Sequence, residues 1–281
     1  MTSFTQLLAG SEPGADGTIS YQVPASWMQG RALYGGLSAA LCIDGSQKSF
    51  QDLPPLRTMN VNFIGPGSAE VEVRATLLRR GKSVAWIRAD LLGDGGLIAS
   101  TTLGFGASRE SRLDCDYSEE LYGSRQEFPR PHDSENFYLG PEDFASAEQY
   151  ELAMMMIPGF ASNFEVRLVS GGRPASGSER PSMELWVKHK DQAAEGIAAL
   201  AGIADMPPPA IMPVMKQPAP LSSLSWMFNI LSDDLSSEDG WWLLGTYAEH
   251  ARQGYSSQNM TIHNSRGELV LLGRQNVTVF Y

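Results

Sequence analysis

Apolar and polar residues alternate with a period of two over long stretches of this chain, and the alternation recurs in two separated blocks. In the first block, residues 58–64, 69–78, 84–92 and 97–105 alternate or run apolar between turn formers, which predicts four strands. In the second, residues 221–231, 241–251, 257–264 and 269–280 read the same way, with earlier strands at 163–168 and 183–188. A further strand, 18–23, opens the chain. Residues 69–106 and 242–278 read as two copies of one β-meander. Arg79-Arg80-Gly81-Lys82-Ser83 aligns with Arg252-Gln253-Gly254-Tyr255-Ser256, and residues 91–100 align with 264–272. A duplicated half-domain predicts a pseudo-twofold, and the seam of a pseudo-twofold is a natural place for a pocket.

The period changes to that of a helix in two places. From Gly35 or Gly36 onward, Leu37, Ala40, Leu41 and Asp44 fall at three-and-four spacing with small residues between them, the mark of a helix that packs closely. Residues 193–204 form a second helix, apolar at Ile197, Leu200, Ala201 and Ala204, which Pro207-Pro208-Pro209 stops. Residues 108–141 hold few aliphatics and read as a linker. The organisation is therefore an N-terminal unit, 1–107, a crossover, 108–158, and a C-terminal unit, 159–281, each with the order strand, helix, strands.

A length of 281 residues suits two such units, and 42% hydrophobic residues supply a sizeable core. The net charge of −11 argues against nucleic acid or an anionic membrane surface as partner. No apolar run is long enough to span a bilayer, and the first ten residues lack the basic and apolar regions of a signal peptide. Two dispersed cysteines, Cys42 and Cys115, make neither a disulfide framework nor a zinc cluster, so a reducing cytoplasm is the expected compartment. The oligomeric state is left open, self-association included.

Common catalytic signatures are missing: there is no Gly-x-Ser-x-Gly elbow, no phosphate-binding glycine loop, and no metal spacing among His132, His189, His250 and His263. Any chemistry must rest on carboxylates, amides, hydroxyls and helix ends.

Four features in fixed order resemble one family. They are Gly35-Gly36 leading a small-residue helix, a helix ending at Asp205, the strand Pro220-Leu221-Ser222-Ser223-Leu224-Ser225-Trp226-Met227-Phe228, and the final strand Gly267-Glu268-Leu269-Val270-Leu271-Leu272-Gly273-Arg274-Gln275. Together they resemble the TesB-type acyl-CoA thioesterases. That resemblance implies an α+β double hotdog, with two antiparallel sheets, each wrapped around a long central helix and paired edge to edge. It implies hydrolysis of a fatty or related acyl-CoA to free acid and CoA by a water held at Asp205, Ser223 and Gln275, with Ser222 the alternative hydroxyl if the register slips by one. Tyr34, Gly35 and Gly36 would bind substrate. No metal and no cofactor are implied, coenzyme A being part of the substrate.

Two rivals stand beside this reading. An enoyl-CoA hydratase of the same fold would resemble an Asp and His five residues apart, and no Asp stands five residues before any of the four histidines. A non-catalytic acyl-CoA binder would need the same pocket.

The residues add their own evidence. A thioester is already activated, so a carboxylate that takes a proton from water is chemically sufficient. Gln275 aligns with Leu103 of the first copy, so one strand position is apolar in one unit and an amide in the other, and a buried amide is costly unless something bonds it. The first unit offers no Asp at its helix end together with a Gln on its last strand, which predicts one working site per chain, seated in the second unit. Gly35 and Gly36 would let the chain approach the thioester closely, with helix-start amides as oxyanion donors, or would simply pack the helix on the sheet. Trp226, Trp241 and Trp242 read as core, Met154-Met155-Met156 as packing at the start of the second unit, and Arg79, Arg80 and Lys82 as a solvated turn.

Overall fold

The computed structural model of the protein describes residues 2–14, 16–122 and 127–281. The first half runs α1 (Phe4–Ala9), β1 (Glu12–Pro13), β2 (Ile19–Gln22), β3 (Met28–Gln29), β4 (Ala32–Leu33), α2 (Gly35–Ser49), β5 (Leu56–Phe63), β6 (Glu70–Arg80), β7 (Val84–Gly93) and β8 (Gly96–Gly106). The crossover carries α3 (Ser118–Tyr122), β9 (Glu135–Asn136) and α4 (Ala147–Met155). The second half runs β10 (Phe164–Gly171), β11 (Ser182–His189), α5 (Gly196–Ala204), β12 (Leu221–Ile230), β13 (Trp242–Arg252), β14 (Tyr255–Asn264) and β15 (Leu269–Val279).

Thirteen strands form a single antiparallel sheet in the order β1-β2-β6-β7-β8-β5-β12-β15-β14-β13-β11-β10-β9, and β3 and β4 make a separate small ribbon. The two expected sheets are joined edge to edge into one continuous sheet. Strands β5 and β12 hydrogen-bond directly, from Thr58 opposite Asn229 to Asn62 opposite Ser225, so the backbone ladder runs unbroken from one half to the other. The order reads alike outward from that seam: β5-β8-β7-β6-β2 on one side, β12-β15-β14-β13-β11 on the other. Part of the crossover joins the sheet as well, since β9 pairs with β10, and Phe128 covers Trp186 on the face away from the main core.

The duplication extends to the irregularities of the ladder. Register slips fall between Leu56 and Thr58, Leu77 and Arg79, and Leu91 and Leu92 in the first half. They recur between Ser223 and Ser225, Ala248 and His250, and Ile262 and His263 in the second. Matching slip to slip sets Arg79 against His250 and Gly81 against Arg252, so the motif alignment of Arg79 with Arg252 stands two positions out of step. A two-residue slip along a strand leaves every side chain on its own face, which is why the sequence pattern tolerates the error. The alignment of Leu103 with Gln275 keeps its place: Leu103 faces Met59 and Ile87, and Gln275 faces Trp226 and Gln258.

Helix α2 is buried nearly all round, as an interior helix must be when small residues line every side. Its hydroxyls are hidden by bonds back along the helix, Ser38 to the Tyr34 carbonyl, Ser46 to Cys42 and Ser49 to Gly45. A methyl group at Gly45 would lie 2.7 Å from Val73, so glycine lets α2 settle directly on β6. Helix α5 begins at Gly196, three residues later than its periodicity predicts. Gly196 adopts φ +79°, and Asp191 Oδ1 accepts from the Ala193 N–H, a local turn that competes with an earlier helical start. The main core lies between α2, α5 and one face of the sheet, and it includes Trp226 and Trp242. Met155 and Met156 are exposed instead of packed, because α4 lies on the surface with no buried residue.

The first-half inner face should therefore reject the amide that the second half accommodates. Leu103→Gln would bury an amide against Met59 and Ile87 with no partner, and is expected to cost roughly 2–4 kcal/mol in urea unfolding. A cost within about 0.5 kcal/mol would show that this face is wetter than its burial implies.

Candidate active site

Asp205 stands at the C-terminal cap of α5, and the three prolines that follow Met206 turn the chain away there. The crossing of α5 over the start of α2 sets what it meets. A methyl group at Gly36 would lie 2.7 Å from the Tyr34 ring and 2.8 Å from the Gly202 carbonyl, so only glycine permits the two helices to approach this closely. A methyl group at Gly35 would lie 2.5 Å from Asp205 Oδ2. Tyr34 locks the crossing by donating to the Gly202 carbonyl at 2.7 Å while its ring stacks on Phe160 at 3.9 Å between centroids.

The Asp205 carboxylate accepts hydrogen bonds from both halves of the protein. The Gly36 N–H at the start of α2 donates to it, as does Gln275 Nε2 at 2.9 Å. The same Gln275 nitrogen donates to Ser223 Oγ at 3.0 Å. The structure thus brings Asp205, Ser223 and Gln275 together, and places Gly35, Gly36 and Tyr34 against them. Two details differ from the sequence expectation. The point on which Asp205 and Ser223 converge is the Gln275 amide nitrogen, not an open position. One helix-start amide, that of Gly36, already serves Asp205. The first intrahelical bond of α2 is Ser38 N–H to the Tyr34 carbonyl, so the Gly35 and Leu37 amides have no partner within the helix.

The choice between the two serines is made by a bulge. Counting back in twos from buried Trp226 puts Ser222 on the inner face, but the ladder passes from Ser225 to Ser223 with Leu224 as the extra residue. That insertion turns Ser223 inward and leaves Ser222 exposed.

A fourth polar residue was not anticipated. Gln258 on β14, 1% exposed, donates from Nε2 to Gln275 Oε1 at 2.8 Å and accepts from the Ala210 N–H at 2.7 Å. The comparison that marks Gln275 marks Gln258 too, since its counterpart is Ile87. The first-half helix also carries a carboxylate, Asp44, but no Gln stands with it, since Leu103 holds the position of Gln275. Asp44 lies as far beyond Gly35 as Asp205 lies beyond Gly196, but it is engaged by Lys48 at 2.7 Å and by the Tyr21 hydroxyl at 2.6 Å.

Burial pushes the Asp205 carboxyl up to about 7, against the lowering effect of its bonds from Gln275 and Gly36. The side chain keeps partial access to solvent. A carboxylate poised near neutrality and flanked by a hydroxyl can take a proton from water. The hollow of about 580 Å³ beside α5, lined among others by Lys188, Asp191, Glu195 and Trp242, does not include Asp205, Ser223 or Gln275. Among the described residues no group of three or more His, Cys, Asp and Glu is placed to hold a metal, and no helix is long and apolar enough to cross a membrane.

Residues 138–279 match the family described as the acyl-CoA thioesterase C-terminal domain, and residues 23–106 match its N-terminal domain. The chain belongs to the acyl-CoA thioesterase family. It is a thioester hydrolase. Among curated proteins none matches this thioesterase in sequence. Among solved structures, a hot dog fold protein of unknown function from Alicyclobacillus acidocaldarius superposes with a TM-score of 0.82 at 19% identity, covering 100% of this chain and 99% of the other. A putative thioesterase II from Thermobifida fusca YX gives 0.78 at 17% identity, over 100% and 98%. The acyl-CoA thioesterase II TesB2 from Mycobacterium marinum gives 0.70 at 16% identity, over 98% of each chain. At these identities the likeness establishes the hotdog fold of the thioesterase.

The raised carboxyl also makes a stability prediction. Between its ordinary value of 3.8 and about 7, folded protein holds a proton at Asp205 that the unfolded chain has released. This group's contribution to stability therefore falls as pH rises through that window. The melting temperature of Asp205→Asn relative to the unsubstituted protein is expected to climb from pH 4 to pH 8. A difference that stays constant with pH would mean that Asp205 is not held protonated by burial.

Proposed function

We propose that this thioesterase hydrolyses acyl-CoA by direct attack of water, with Asp205 as general base. The observation that carries the reading is the convergence of Asp205, Gln275 and Ser223 in one hydrogen-bonded group, with the Asp205 carboxyl pushed up to about 7 by desolvation. Water donates a proton to the Asp205 carboxylate as its oxygen attacks the thioester carbonyl carbon. The tetrahedral intermediate then breaks its C–S bond, and the departing CoA sulfur takes the proton back from Asp205, leaving the free acid. Ser223 accepts from Gln275, so its own hydroxyl proton remains available to orient the water or the carbonyl oxygen. Gln275 holds base and hydroxyl in one geometry. The Gly35 and Leu37 amides at the start of α2 supply donors for the developing oxyanion, reinforced by the helix dipole.

Gly35, whose missing side chain leaves room beside Asp205 Oδ2, together with Gly36 and Tyr34 borders the bound thioester in this reading. No nicotinamide, flavin or metal has a part in these steps, coenzyme A serving only as the leaving group.

Turnover of acetyl-CoA, octanoyl-CoA and palmitoyl-CoA, followed by trapping the released thiol, tests the proposal. Asp205→Asn should lower kcat by roughly 10²–10⁴-fold with little change in KM, and Ser223→Ala should cost less. Unchanged turnover in Asp205→Asn would refute the mechanism, and no hydrolysis of any of the three by the unsubstituted protein would favour an acyl-CoA binder. Because the base works only when deprotonated, kcat should rise with pH through about 7 and level off above it. An acid limb near pH 4 would mean that Asp205 ionises as an ordinary surface carboxyl does.

A further inference from the structure

We infer that Gln258 is a positioning residue for this reaction, setting the direction of the Gln275 amide through a hydrogen-bond chain anchored at the Ala210 N–H. The inference rests on the proposed role of Asp205 as base.

A glutamine amide is nearly symmetric in shape and can sit either way round, with opposite effects on a carboxylate. With its NH2 toward Asp205 it favours the charged form of the base. With its carbonyl oxygen there it repels that charge. Nothing in Gln275 itself chooses between the two. The choice is made further back, by a donor that cannot reverse. Residues 207–209 are prolines without an N–H, so Ala210 carries the first main-chain donor after Met206. Ala210 is fully buried, and its N–H needs an acceptor.

Gln258 Oε1 is that acceptor, at 2.7 Å. With its oxygen fixed there, Gln258 turns its NH2 to Gln275 and donates to Oε1 at 2.8 Å. Gln275 must then present its own NH2 to Asp205 and Ser223, at 2.9 and 3.0 Å. One irreversible backbone donor thereby sets two reversible amides and aims a donor at the base.

The duplication supplies the control. The ladder positions of Gln258 and Gln275 are Ile87 and Leu103 in the first half, both fully buried. The scaffold therefore does not require amides at these positions, and an apolar pair fills them where no base is served. Tyr34 is the titratable group that shares electrostatic contact with Asp205, and burial keeps its hydroxyl protonated throughout the working range.

Gln258→Leu, assayed on octanoyl-CoA, tests the inference. It frees the Gln275 amide to reverse and should lower kcat roughly 10–100-fold while KM moves less than about threefold. It should also shift the acid limb of the pH–rate profile upward by about one unit, since the lowering effect of the Gln275 donor on Asp205 is lost. A role confined to tying down Ala210 would change melting temperature and leave that limb in place.

The second comparison is Gln258→Leu with Gln275→Leu against Gln275→Leu alone. The pair recreates the apolar contact of the first half, so it should fold even if Gln258→Leu alone does not. If Gln258 acts through Gln275, the two should turn over equally, within about twofold. An additional tenfold loss in the pair, or an unshifted acid limb with kcat intact in Gln258→Leu, overturns the inference while leaving the mechanism standing, provided Asp205→Asn is inactive. If Asp205→Asn retains full turnover, the mechanism falls and the inference falls with it.

Discussion

A carboxylate withdrawn from water must be met by donors, and much of this protein's seam is arranged around that requirement at Asp205. One donor comes from each half: the Gly36 amide at the start of α2 and the Gln275 side chain on β15. The Gly36 contact exists only because α5 can lie almost on the backbone of α2, which demands glycine at position 36 and an open flank at position 35. Tyr34 ties the crossing shut through the Gly202 carbonyl. The donors hold the carboxyl down while burial drives it up, and the balance leaves it near neutrality.

The two halves show how one scaffold accepts two inner faces. Their strands share order, direction and the positions of three register slips, yet Met59, Ile87 and Leu103 stand where the second half has Trp226, Gln258 and Gln275. Burying an amide among apolar side chains is unfavourable unless its donors and acceptors are met together. The second half meets them as a set, from the Ala210 N–H through two glutamines to a serine and a carboxylate. In the first half the corresponding carboxylate, Asp44, is paired with Lys48 and Tyr21. A carboxylate engaged on both sides in that way serves as a structural tie between β2 and α2.

The continuous sheet gives these contacts their rigidity. Because β5 and β12 share a ladder, the strand that carries Ser223 is hydrogen-bonded on one side to the first half and on the other to β15 and Gln275. The hydroxyl and the amide are therefore held on neighbouring strands at a fixed spacing, and the segment after α5 is tied to the same sheet where Gln258 accepts from the Ala210 N–H. Positions held on strands and helix ends are more precise than positions on free loops.

By itself the sequence determined the strands, the two small-residue helices, the duplication and the contrast of Gln275 with Leu103, because side-chain periodicity and repeated patterns are local properties of the chain. It pointed to Asp205 through its resemblance to a family. The tertiary structure alone decided what depends on distant segments meeting. The bulge at Leu224 reverses the face on which counting in twos would place Ser222 and Ser223, and a bulge is a property of the paired strands, not of one strand. The motif alignment at Arg79 and Arg252 was two positions out because a slip of two preserves the pattern, and only the ladder distinguishes the registers. Gln258 was readable as a polar residue in an apolar row, but its function lies in bonds to residues 48 and 17 positions away, which exist only once the chain has folded. The union of the halves into one sheet had the same origin, in backbone groups at β5 and β12 that carry no signature of their partner until the two edges meet.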